Sequence, residues 1–168
     1  MERKNLWAPW RMKYIRGLSG EGEGCFICGY VDSSDKDAEN FILLRTQSSI
    51  LMFNRFPYNN GHLLIAPKRH IATMDEASED ELLDMTRLMR DSQVILGEVL
   101  SPHGFNVGMN FGRCSGAGLP GHMHVHVVPR WDGDTNFMHV VSDTDVISQS
   151  LEELYVQLRQ VIVEKGLG

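Results

Sequence analysis

Basic residues are in short supply in this chain. Sixteen Lys and Arg stand against twenty-two Asp and Glu, a net charge of −6 over 168 residues. A dedicated nucleic-acid binder normally carries a basic surface, so the balance argues against nucleic acid as a partner. Cysteine is scarcer still: three residues, two of them in CFIC, which is not the even, spaced set of a disulfide framework. No apolar run approaches the roughly 20 residues that span a bilayer. The opening MERKNLWAPWRMKYIRG lacks the apolar centre of a signal peptide. Hydrophobic residues make up 42%, and a chain of this length can bury a core without covalent staples. The expectation is a soluble, cytoplasmic protein with no membrane partner, its cysteines reduced or metal-bound, and a small-molecule site.

The chain divides into an N-terminal arm at 1–24, a core at 25–140 and a C-terminal helical segment at 141–168, all within one domain. Trp7, Trp10 and Tyr14 are suited to pinning the arm to the body or to a second subunit. VDSSDKDAE at 31–39 is polar and reads as a loop. FILLR at 41–45, SILMF at 49–53 and HLLIAP at 62–67 read as three antiparallel strands. PYNNG, residues 57–61, supplies the fixed and positive φ values of a reversal between the second and third. Ser78 and Glu81 form a capping box, and Leu82, Met85, Met89, Leu96 and Leu100 share one helical face, so a helix is expected over 79–99. GFNVGMNF at 104–111 and HMHVHVVP at 122–129 supply a fourth and a fifth strand. Leu151, Leu154, Tyr155, Leu158, Val161 and Ile162 mark a second helix. Hairpin-linked strands with separate helices describe an α+β domain.

The chemistry concentrates in GHMHVHVVPRW. On a strand, His122, His124 and His126 would lie on one face about 7 Å apart, with Met123, Val125 and Val127 on the other. Just before them GRCSGAGLPG, residues 112–121, carries four glycines and one arginine. Backbone N–H groups unshielded by side chains, as at Gly116, Ala117 and Gly118, can cradle phosphate. A metal site on the three histidines and a merely polar strand face are the competing readings. A histidine nucleophile beside a phosphate loop uses the triplet, the glycines and Arg113 together. CFIC is open to three readings: a redox pair, half of a metal site, or chance. No βαβ pattern surrounds it, which argues against a thioredoxin-like role, and His70 in PKRH is a candidate third ligand.

HMHVHVVP resembles the signature of the histidine triad family. NRFPYNNGHLLIAPKRH and GFNVGMNFG are similar to further motifs of that family, and WAPWRMKYI, CFIC and VVPRWDGDTNFM resemble the branch containing bacterial diadenosine tetraphosphate phosphorylases. The resemblance implies the histidine triad fold, with about five antiparallel strands, a long helix and a C-terminal helix. It implies His124 as covalent nucleophile and His122 and His126 as flanking residues that orient it and contact phosphate. Asn54 matches a ribose contact and Asn110 a phosphate contact. The reaction implied is nucleotidyl transfer or hydrolysis on a dinucleoside polyphosphate, with a nucleoside phosphoramidase, or a nucleotide-binding module without turnover, as alternatives. Zinc-bearing relatives complete a site of the kind Cys25, Cys28 and His70 begin with the first triad histidine, here His122. Magnesium is expected only with the substrate, and a homodimer is the usual assembly. His62 matches a buried structural position. Cys114, His103, His139 and Trp131 receive no role.

Overall fold

SILMF and LLIAP contain no polar alternation, and both runs are buried along their whole length, which places them inside a sheet. The computed structural model describes residues 24–134 and 147–167, so the arm with Trp7, Trp10 and Tyr14, and His139, lie outside the described residues. In chain order the elements are α1 (Phe26–Asp32), β1 (Ile42–Arg45), β2 (Ser49–Phe53), β3 (Leu63–Pro67), α2 (Glu79–Leu100), β4 (Gly104–Met109), β5 (Val125–Arg130) and α3 (Leu151–Lys165). The five strands form one antiparallel sheet in the order β1-β2-β3-β5-β4. This is the α+β arrangement expected.

The turn into β3 depends on Gly61, whose φ is +78°. A Cβ there would also stand 2.6 Å from Leu100 Cδ1, so only glycine brings the reversal down onto the end of α2. The Ser78–Glu81 capping box forms as expected: the Glu81 N–H donates to Ser78 Oγ at 3.2 Å, and the Ser78 N–H to Glu81 Oε2 at 2.8 Å. Met85, Leu88, Ile95 and Leu96 of α2 and Leu154, Leu158 and Ile162 of α3 bury against one sheet face. Met123, Val125 and Val127 join this core. Truncating a fully buried residue here, such as Leu158→Ala, costs about 2–5 kcal/mol.

Alternation sends the neighbours of these residues to the opposite face, which carries Ile42, Ile50, Met52, Leu64 and Ala66 under Ile27 of α1. Residues 31–39 depart from the expected loop. Val31 and Asp32 close α1, and Ser34–Lys36 form a 3₁₀ turn. Arg45 pins the segment by forking onto Asp37 and donating to the carbonyls of Tyr30 and Val31. Among the described residues no helix is long and apolar enough to cross a membrane.

Candidate functional site

β5 begins at Val125, so the three histidines do not form the regular row expected. Only His126 lies within the ladder, opposite Gly108 of β4 and Leu64 of β3. A Cβ on Gly108 would meet nothing within 4 Å, so the space beside His126 is open. His122 and His124 precede the strand, where the Met123 N–H bonds the Ile71 carbonyl at 2.7 Å.

His124 is 7% exposed. Its Nδ1 stands 2.9 Å from the backbone carbonyl of His122. A carbonyl oxygen only accepts, so Nδ1 carries the proton and Nε2 keeps its lone pair. Burial lowers the pKa of His124 from its ordinary value, and the carbonyl bond offsets part of that. The result is a neutral imidazole with a fixed tautomer, the form a nitrogen nucleophile needs.

His122 is fully buried and both its nitrogens are committed. Nε2 donates to the Pro67 carbonyl at 2.8 Å, and Nδ1 faces Cys25 Sγ at 3.1 Å and Cys28 Sγ at 3.6 Å. The phosphate contact expected of its ring is therefore not available; its carbonyl instead orients His124. Cys25 caps α1 and Cys28 stands one turn on, so both thiols meet on one side of the helix. His70, in the loop after β3, brings Nδ1 to 3.3 Å from Cys28 Sγ. The four donor atoms lie within 4.8 Å of one another. A tetrahedral ion at ordinary sulfur and nitrogen distances sets donors about 3.3–3.8 Å apart, so the set fits one. Without an ion, burial and the neighbouring Cys25 push the Cys28 thiol up to about 11. Among the described residues no other group of three or more His, Cys, Asp or Glu is placed to hold an ion.

These features have counterparts in known proteins. The chain is 31% identical over 155 residues to AP-4-A phosphorylase of Mycobacterium tuberculosis, covering 89% of this chain and 80% of that protein. The HIT domain pattern matches residues 35–133. The chain belongs to the HIT family. The asymmetrical bis(5'-nucleosyl)-tetraphosphatase of Schizosaccharomyces pombe is another relative, 30% identical over 112 residues, 67% of this chain and 58% of that one. The crystal structure of a Zn-bound histidine triad family protein from Mycobacterium smegmatis shares the fold with a TM-score of 0.68 at 22% identity, covering 85% of this chain and 96% of that one.

His62 takes the buried structural position expected of it, and from there it also reaches the third histidine of the triplet. His62 is fully buried, and its Nε2 lies 2.9 Å from His126 Nδ1. Burial first, then the nearby His126 and His124, lower its pKa to about 3, so it is neutral at working pH. Tyr58 stacks on His126 with 5.8 Å between ring centroids and covers His62 at 4.6 Å. The signal for this group is NRFPYNNGH itself, which needs the β2–β3 turn to bring both ends to His126. The half-buried Asn110 directly follows Met109, whose partner in the β4–β5 ladder, Val125, directly follows His124. The loop beyond is held by a 3₁₀ turn at Arg113–Ser115, with Gly116 at φ +87° receiving the chain. Asn54 is buried against His62 and not presented to solvent. Cys114 is exposed in the glycine loop, Trp131 donates to the Leu100 carbonyl at 3.3 Å, and His103 sits on the surface beside Asp132.

Proposed function

We propose that this HIT-family enzyme cleaves dinucleoside polyphosphates through a covalent nucleotidyl-histidine at His124, with diadenosine tetraphosphate as favoured substrate and inorganic phosphate as acceptor. The observation that carries the reading is the bond from His124 Nδ1 to the His122 carbonyl, which leaves Nε2 as the attacking atom. Nε2 attacks the α-phosphorus; a P–N bond forms while the P–O bond to the departing polyphosphate breaks and ATP leaves. A phosphate oxygen then attacks the same phosphorus, the P–N bond breaks, and ADP is released. His126 and the backbone donors around Gly116, Ala117 and Gly118 hold phosphoryl oxygens, where positioned donors contribute most. Asn110, at the end of β4 nearest the start of β5, contributes a polar contact to the same phosphate. The similarity to AP-4-A phosphorylase over most of both chains supports the choice of substrate and acceptor.

The ion suited to Cys25, Cys28, His70 and His122 is zinc, which favours four-coordinate thiolate and imidazole sets. When bound it ties α1, the β3 exit and the approach to β5 into one unit. Thiol ligands suit a reducing, cytoplasmic setting. The edge strand β4 exposes Val107 and the neighbouring helix α2 exposes Val94, and a second copy of the chain is the partner we assign to them. The test is product analysis after incubation with diadenosine tetraphosphate, with and without inorganic phosphate. ADP plus ATP, formed only with phosphate, is the expected result. AMP plus ATP regardless of phosphate would make the enzyme a hydrolase, and no cleavage would overturn the reading.

A further inference from the structure

His70 is the one exposed member of the metal-ligating set, so packing does not hold its ring in place. Its backbone has to, and that backbone is braced from α2. Arg69, directly before it, donates from Nε to Glu81 Oε1 and from Nη2 to Glu81 Oε2, both at 2.7 Å. Nη2 also donates to the Glu76 carbonyl at 2.8 Å. Glu76 closes a 3₁₀ turn at Met74–Glu76, and its Oε2 accepts the Ala72 N–H at 2.7 Å and the Thr73 N–H at 3.0 Å. The segment from 69 to 81 is thus closed by its own bonds around His70 and Ile71. Glu81 is 6% exposed and already caps α2 through Ser78, so the fork hangs from the fixed end of a 22-residue helix. A planar guanidinium meets both carboxylate oxygens at once, which an ammonium does not. The same loop offers the Ile71 carbonyl, which accepts the Met123 N–H at 2.7 Å and so fixes the chain beside His122, a second ligand.

We propose that the Arg69–Glu81 ion pair is a positioning device for the metal site, presetting the 69–78 loop so that His70 stands ready as a ligand before the ion arrives. The ion rests on the zinc reading above; the preset loop does not. Without the brace, an exposed histidine on a loose loop would be ordered only at the moment of binding, and that lost freedom would subtract from affinity. Glu81 lies outside the ligand set, so it acts through Arg69 and His70. Residues that orient a ligand from outside the coordination sphere typically account for about 10–100-fold in metal affinity. Glu81 then has two tasks, and the capping box visible in the sequence is only the first: it ends the loop and starts the helix with the same carboxylate.

Zinc affinity of the folded protein, read by competition with a chelator near neutral pH, tests this. Arg69→Lys keeps a charge against the buried carboxylate but loses the fork, and should weaken zinc about 10–100-fold. Leu158→Ala, a truncation in the core, should leave the affinity unchanged, which separates positioning from stability. In a chain already carrying His70→Ala, Arg69→Lys should cost nothing further, because it acts through that residue. Equal losses in both backgrounds, or no loss in either, overturn the proposal. Amide hydrogen exchange reads the preset loop without metal. In zinc-free wild type the Ala72 and Met123 amides should be protected, and Arg69→Lys should speed their exchange while leaving the amides of β2 unchanged. Free exchange at both amides in zinc-free wild type overturns the preset. If Arg69→Lys does not fold, Glu81→Gln, which keeps the bond from the Ser78 N–H and weakens the fork, takes its place. Wild type that takes up no zinc would remove the metal reading and the proposal together; zinc held equally tightly by wild type and Arg69→Lys would remove the proposal alone.

Discussion

Lowering the pH should destabilise this protein through His62 in particular. The imidazole is fully buried, and its pKa falls from 6.5 to about 3 because burial disfavours its charged form and His126 and His124 stand beside it. Below pH 6.5 the unfolded chain takes up a proton at this position that the folded chain refuses. The stabilisation is therefore fully present above the ordinary imidazole range and is lost as pH falls toward 3. Each pH unit within that window costs about 1.4 kcal/mol, or roughly 5 kcal/mol across it. That is a large share of the about 5–15 kcal/mol that separates folded from unfolded domains. Urea unfolding of wild type and His62→Gln from about pH 7 to about pH 4.5 isolates the effect, because every other acid-sensitive group is common to both. Wild type should be the more stable at neutral pH, where its hydrogen bonds at His62 are worth about 1–2 kcal/mol. The gap should close by up to about 1.4 kcal/mol per pH unit and then reverse. Parallel curves for the two proteins would refute the claim that His62 is held neutral.

Cys25→Ser should lower thermal stability and metal content together, since removing one donor from a closed site forfeits folding free energy the ion supplies; protein purified without added metal and containing no zinc would contradict this. Zinc added to chelated protein in weakly buffered solution near neutral pH should release protons, because Cys28, held near 11 without an ion, must ionise to bind; uptake with no proton release would remove Cys28 from the ligand set. Gly116→Val forces a branched side chain into a φ of +87°, so it should cost stability through backbone strain and, beside the expected phosphate path, should also cut turnover per folded molecule; full activity per folded molecule would make the loop structural.

Much of the fold was legible because its signals are local. The Ser78–Glu81 box and its apolar stripe determine one long helix, and the unbroken apolar runs of β2 and β3 determine the two inner strands. α1 was not legible: it has seven residues with Gly29 at its centre, too few for a periodic signal, and its role comes from carrying Cys25 and Cys28 to His122. The alternation of the triad pointed to a row on a strand, but the Met123 bond to Ile71 holds His122 and His124 ahead of the ladder. That offset separates the settings of the histidines: one ring faces the thiols, one is oriented by a carbonyl, and one lies within hydrogen-bond distance of His62. The pairing of His62 with His126 joins residues 64 apart in sequence and needed the sheet to become visible.

The covalent step at His124 is tested most directly by trapping it. Enzyme mixed with diadenosine tetraphosphate and quenched without acid should carry an adenylyl group on the peptide containing residues 122–126, seen by mass spectrometry and absent in His124→Ala. That variant should fold, still bind nucleotide, and lose turnover by several orders of magnitude, as removal of a covalent nucleophile does. No adduct on wild type under single-turnover conditions, together with near-normal turnover by His124→Ala, would contradict the account.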